Sequence, residues 1–102
     1  MTSAISDPVR RLQEWYSAQC NGDWEHSYGV SIGTLDNPGW SLEVDLAETA
    51  LADKPFAPLK RNYEHESDWL TCSLRDGKFM GWCGPYKLEE MIEVFLSWAE
   101  GP

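Results

Sequence analysis

The chain has 102 residues, 42% hydrophobic and 25% charged, which suits one domain with an ordinary hydrophobic core. Its net charge of −9 argues against nucleic acid and anionic membrane as partners, because phosphate binding needs a basic surface. No stretch of the sequence has the length and apolarity of a signal core or a membrane span. Three cysteines without metal-binding spacing fit reduced thiols, so we expect a cytoplasmic protein.

The first predicted element is a helix that begins at Asp7-Pro8, since Asp7 can cap free amides and Pro8 suits the first helical position. Asn21-Gly22 is a helix-ending pair. Between them, apolar residues at helical spacing form one stripe. Its members are Val9, Leu12, Tyr16 and Cys20, with Trp15 widening it.

Two stretches of alternating residues follow, HSYGVSI (26–32) and WSLEVDL (40–46), and a turn at LDNPGW (35–40) joins them. In the second stretch the apolar residues alternate with Ser41, Glu43 and Asp45. Alternation with period two is typical of strands with one buried face. We therefore predict two strands that pair with each other.

The remaining elements are a loop at 47–58, a weaker strand at 59–66, a hairpin at 68–83 and a final helix. Asp76-Gly77 predicts a two-residue type I′ turn for the hairpin, and Gly84-Pro85 opens the helix. The whole chain, 1–102, is thus one α+β domain. It has an N-terminal helix, about five antiparallel strands and a C-terminal helix, with both helices on one face of the sheet and the other face open.

The loop GWCGPYK (81–87) looks like the redox loop of thioredoxins, with Tyr86 in place of the second cysteine. If Asp76-Gly77 is the turn, Leu70 faces Cys83 across the hairpin, and this side of the sheet is apolar. Cys83 is then a core residue rather than a reactive thiol. A thiol-dependent enzyme that uses Cys83 remains the alternative.

His26 and His65 lie beside carboxylates, as a zinc site or an acid–base pair would require. However, the sequence contains no HExxH, no HxH and no cluster of cysteine with histidine. We therefore expect no catalytic residue, no metal and no cofactor, and a metal-dependent enzyme stays a second alternative.

The hairpin register places Met80 and Trp82 on the open face with Glu43 and Asp45, an apolar anchor with an acidic rim. From Leu12 to Asp53 there are eight carboxylates and no Lys or Arg. This stretch either keeps the protein soluble or attracts a basic partner. Two alternatives stay open for Met80 and Trp82: the 47–58 loop covers them, or a second copy does, in a homodimer with a regulatory role.

Three stretches resemble the immunity protein 53 family of bacterial polymorphic toxin systems: residues 12–40, 41–46 and 84–99. The most specific piece is W-Y-x-x-Q-C-x-G-D-W-E-H-x-Y-G, at 15–29. The resemblance implies a cytoplasmic antidote that is encoded beside its toxin and neutralises it by tight binding, with no catalytic residues to carry over.

From this motif and the open face we predict eight partner-binding residues: Asp23, Trp24, Glu25, His26, Glu43, Asp45, Met80 and Trp82. The partner is a toxin with a basic surface. Whether the motif residues contact the toxin or fix the corner between helix and strand stays open. Asp23 and Glu25, at a predicted loop tip, are the better candidates for contact, whereas Tyr28 lies on the core side of its strand.

Overall fold

A computed structural model describes residues 7–62 and 67–101. The predicted α+β fold is confirmed: an N-terminal helix, a five-stranded antiparallel sheet and a C-terminal helix. The elements are α1 (Pro8–Gln19), α2 (Trp24–Ser27), β1 (Val30–Leu35), β2 (Gly39–Asp45), β3 (Leu59–Arg61), β4 (Leu70–Arg75), β5 (Lys78–Cys83) and α3 (Leu88–Glu100). None of the helices in these two ranges has the length and apolarity to cross a membrane.

The sheet has the order β1-β2-β5-β4-β3, and every neighbouring pair is antiparallel. The predicted hairpin register is confirmed, because Leu70 lies opposite Cys83 and Thr71 lies opposite Trp82. Asp76 and Gly77 both have positive φ, 54° and 77°, as a type I′ turn requires. This short turn fixes which side chains of β4 and β5 share a face.

The predicted boundaries of the first strand are wrong. Residues 24–27 form the short helix α2, and β1 begins only at Val30 and continues to Leu35. The physical reason is a contact across 23 residues of sequence: the indole of Trp24 is buried and donates a hydrogen bond to the Ala47 carbonyl. Because the ring is fixed in this way, the chain changes direction at residues 24–27, and the strand begins only after that.

Helices α1 and α3 and the 47–58 loop lie on one side of the sheet, which we call the inner face. Phe79 on β5 is fully buried there and meets the rings of Phe95, Trp98 and Phe56 at 5.1, 6.0 and 5.2 Å. Phe56 comes from the 47–58 loop, so this loop covers the inner face. The alternative in which it covers Met80 and Trp82 is therefore wrong.

Only part of the predicted stripe on α1 is buried. Leu12 belongs to the core, and the ring of Trp15 meets that of Phe95 on α3 at 5.1 Å. Val9 and Tyr16, in contrast, are 53% and 37% exposed. The helix packs against α3 rather than over β1, and its outer flank therefore faces a groove instead of the sheet.

Candidate partner-binding surface

The side of the sheet opposite the helices, which we call the outer face, carries Met80 and Trp82 at its centre. Cross-strand neighbours align Trp82 with Ser41 and Thr71, and Met80 with Glu43 and Ser73. All of these residues are half-buried, which reflects their contacts with one another. Within residues 7–62 and 67–101, α3 packs on β2 and β5 from the inner side and α1 packs on α3, so no described helix covers the outer face.

Trp82 has a cation on one side and a depression in the surface on the other. The guanidinium of Arg75 lies 6.0 Å from its ring centre, a cation–π distance. On the other side is a depression of about 530 Å³ between Trp82, Trp69 and the turn that joins β1 to β2. A stiff aromatic ring beside a depression is the arrangement found at the centre of protein interfaces.

Trp69 is missing from the predicted binding residues, although the sequence contained the signal for it. The register that pairs Thr71 with Trp82 also places residue 69 opposite residue 84, on the outer face. The structure agrees, since the Gly84 amide donates to the Trp69 carbonyl at 2.9 Å. The outer face thus presents two indoles rather than one.

The two outer-face carboxylates are not free. Lys78 Nζ lies 3.4 Å from Glu43 and 3.9 Å from Asp45. Asp45 also accepts a hydrogen bond from the Gly29 amide at 2.9 Å, which ties the start of β1 to the end of β2. Lys78 and Arg75 balance Glu43 and Asp45, and the centre of the outer face is therefore close to neutral.

The excess negative charge lies on the β1 side of the molecule. The residues from Leu12 to Asp53 build the end of α1, α2, β1 and β2, and none of the eight cations is among them. The cations at 60, 61, 75, 78 and 87 come from the opposite half of the sheet and the start of α3. Among the described ion pairs, Asp23, Asp36 and Glu48 have none.

The corner at 20–29 divides the motif residues into two groups, and Trp24 and Glu25 belong to the supporting group. Trp24 is 2% exposed, so its ring offers no surface to a partner. The Glu25 carboxylate accepts from the amides of Asn21 and Gly22 at 3.0 and 2.9 Å. Hydrogen bonds from its own backbone amide and from those two hold the pKa of Glu25 below its ordinary value.

Asp23 and His26 form the second group, and both side chains are exposed. Asp23 precedes α2 but makes no capping bond with its side chain. Asn21 caps the start of α2 instead, because its Oδ1 accepts hydrogen bonds from the amides of Asp23 and Trp24 at 2.9 and 3.0 Å. The carboxylate of Asp23 and the ring of His26 are therefore accessible to a partner.

The loop GWCGPYK (81–87) joins α3 to the sheet. A Cβ on Gly84 would lie 1.9 Å from the Ser67 carbonyl oxygen, and one on Gly81 would lie 2.7 Å from the sulfur of Met91. The Pro85 carbonyl accepts from the indole of Trp40 at 3.0 Å. These close contacts explain both glycines without any chemistry at the cysteine.

Cys83 itself is fully buried on the inner face. Burial raises the pKa of its thiol to about 11 and that of Cys72 to about 12. A thiol that stays protonated and closed off cannot act as a nucleophile near neutral pH. His65, the second histidine of the zinc site considered in the sequence analysis, lies outside the described residues. Within residues 7–62 and 67–101, no cluster of His, Cys, Asp or Glu is suited to a metal ion.

Two partly exposed indoles on a sheet face that no described helix covers form an apolar patch of the kind that marks interaction sites. The family model for immunity protein 53 matches residues 9–100, nearly the whole chain. The chain therefore belongs to the immunity protein 53 family, as the sequence resemblance predicted. No curated protein and no solved structure matches it.

Proposed function

We propose that this chain neutralises a toxin, encoded beside it, by binding the toxin directly through the outer face and the adjoining acidic side. Membership in an immunity-protein family supports a toxin as the partner. The single observation that carries the choice of surface is the pair of partly exposed indoles, Trp69 and Trp82, on a face that the described helices leave open.

The proposed contact has Met80, Trp69 and Trp82 at its centre. A specific interface buries about 800 Å² on each partner, which in this proposal the face of the five-stranded sheet provides together with its flanking loops. Buried aromatic anchors at such centres contribute about 2 to 4 kcal/mol each when truncation to alanine is measured. In this proposal the anchors set the dissociation rate.

Charge sets the association rate. The chain carries −9, and its β1 side has carboxylates without any Lys or Arg. A basic partner would be steered towards this side, with association on the order of 10⁸ M⁻¹s⁻¹ at low salt. A toxin that acts on nucleic acid has a basic cleft, and carboxylates could take the places that phosphates occupy there.

The predicted residues receive different parts in this proposal. Met80 and Trp82 are anchors, and Asp23 and His26 belong to the rim. Glu43 and Asp45 contribute to the polar surface around the anchors through their ion pairs with Lys78. Trp24 and Glu25 act indirectly, because they hold the corner that positions Asp23. Trp69 joins the anchors.

The proposed mechanism is binding without catalysis, in the cytoplasm. The three cysteines are free thiols, which suits a reducing compartment. The buried position of Cys83 and its raised pKa weigh against the thiol-enzyme alternative.

Co-expression tests this proposal. Cells that express the toxin from the adjacent gene should survive when this chain is present, and the two proteins should co-purify. Trp82→Ala should weaken the complex by about 100-fold because it removes an anchor. Tyr86→Ala is the matched control, since Tyr86 is an aromatic residue 88% exposed outside the sheet, and it should change affinity less than about twofold.

Three results would contradict the proposal: no complex, no protection, or equal effects of the Trp82 and Tyr86 variants. A homodimer through Trp82 would instead show a mass that rises with concentration in sedimentation, and Trp82→Ala would abolish that rise.

A further inference from the structure

The two edges of the sheet differ in how well they are protected. β3 is three residues long and carries Lys60 and Arg61, features that discourage pairing with another strand. β1 is six residues long, VSIGTL, and contains neither a charged residue nor a proline. A strand of this length and composition at an edge can accept a further strand.

The direction of the hydrogen bonds identifies the groups that β1 offers. The Asp45 amide donates to the Gly29 carbonyl at 3.0 Å, and the register pairs Val30 with Val44. Hydrogen-bonded pairs alternate in an antiparallel ladder, so every second residue of β1 turns its amide and carbonyl away from β2. Those residues are Val30, Ile32 and Thr34.

The side chains of the same three residues point to the inner side of the sheet, where Val30 is half-buried and Ile32 and Thr34 are left exposed. A groove of about 370 Å³ runs between α1 and β1. Val9, Tyr16 and Ile32 line it and are 53%, 37% and 43% exposed. An added strand would therefore meet free backbone groups and an apolar groove together.

The charge around this edge distinguishes between occupants. The edge belongs to the 12–53 stretch, which has carboxylates and no cation. Two copies paired through β1 would bring two such sides together, and like charges would oppose the pairing. A segment with Lys or Arg is favoured instead, since Asp36, which follows β1 and lines the depression beside Trp82, has no cation partner among the described ion pairs.

We propose that β1 accepts an extended segment of the toxin as a sixth strand. Its apolar side chains enter the groove between α1 and β1, and its alternate Lys or Arg side chains lie along the outer face. This inference rests on the proposed function and specifies how the partner binds. The outer face and the β1 edge are continuous, so the two contacts form one interface.

Thr34→Pro tests the proposal with Thr34→Ala as its control. Proline removes an outward amide that makes no bond to β2, and proline is tolerated at such edge positions. Toxin binding should weaken at least about tenfold with Thr34→Pro and change less than about twofold with Thr34→Ala. Thermal unfolding of both variants shows whether the domain is intact.

Hydrogen exchange on the unmodified protein makes the test independent of folding. The amides of Val30, Ile32 and Thr34 should exchange at least about tenfold more slowly in the toxin complex, while those of β3 should keep their rates. Unchanged exchange in β1 would overturn the proposal. Slower exchange on concentrating this chain alone would overturn it too, because the occupant would then be a second copy.

The outcomes separate this inference from the proposed function. A complex that Trp82→Ala weakens and Thr34→Pro leaves unchanged would refute the sixth strand and keep the outer face. A chain that never binds the toxin would refute both.

Discussion

The inner and outer faces of β5 show how one strand can serve two purposes. Phe79, Gly81 and Cys83 point inward and are buried, whereas Met80 and Trp82 point outward and remain half-exposed. On the inner side, β5 packs against α3 and the 47–58 loop. On the outer side none of the described helices packs against the sheet. The difference shows that Cys83, the residue that most resembles a reactive group, is a packing residue of the core.

The two conspicuous motifs illustrate this lesson. GWCGPYK docks α3 on the sheet, and the carboxylate of Glu25 in GDWEH closes a corner. Trp82 lies within GWCGPYK, but Met80 and Trp69 belong to neither motif. They are recognisable only because the register places large side chains where no described helix lies.

The largest expected effect is on the inner face. Phe79→Ala should lower the free energy of unfolding by about 4 kcal/mol, because it leaves a cavity among three aromatic rings. Met80→Ala, one residue away on the outer face, should cost about 1 kcal/mol or less. Urea unfolding of both variants measures the difference. Similar losses would mean that the two faces are packed alike.

The second prediction concerns the docking loop. Gly84→Ala should cost about 3 kcal/mol, since the added Cβ would collide with the Ser67 carbonyl oxygen. Gly29→Ala is the control, because a Cβ there meets nothing within 4 Å, and the loss should stay below about 1 kcal/mol. A stable Gly84 variant would show that the loop does not hold α3 in this position.

The third prediction tests whether the buried thiols react. In native protein at pH 8, an alkylating reagent should label Cys83 and Cys72 at least about 100-fold more slowly than the half-exposed Cys20. Both folded-state pKa values lie above the ordinary value of 9.0, so the thiols hold their protons longer in the folded state. Their contribution to stability is therefore complete below pH 9 and declines as the pH rises towards about 11 for Cys83 and about 12 for Cys72. Fast labelling of Cys83 would restore the thiol-enzyme alternative.

The smallest effect concerns charge. Reversing Asp23 and Glu48 to Lys should slow toxin association about fivefold at low salt and flatten its salt dependence. Reversing Glu89 and Glu93 on α3 changes the net charge equally but on the other side of the molecule, and should slow association less than about twofold. Equal slowing would show that total charge matters rather than its position. Glu43 and Asp45 are poorer targets, since reversing Asp45 would also break its bond to Gly29.

The hairpin could be predicted from the sequence because a two-residue turn fixes the register of the two strands that it joins. From that register followed the inward position of Cys83 and the outward position of Trp82. The same rule reaches Trp69, one residue beyond the strand.

Other features depend on contacts between distant parts of the chain. The burial of Trp24 depends on Ala47, and the exposure of Tyr16 depends on how α1 leans on α3. Period and spacing cannot report the tilt of a helix or the partner of a buried indole. For this reason the burial of Trp24 at the corner and the groove beside β1 emerged only from the structure.

Oxidative footprinting of the complex asks whether the outer face meets the toxin. Hydroxyl radicals modify exposed Trp, Met and Tyr side chains, and mass spectrometry locates the modified residues. Toxin binding should reduce the modification of Trp69, Met80 and Trp82 and leave that of Tyr86 unchanged. Unreduced modification of all three outer-face residues in a saturated complex would contradict the proposed binding surface.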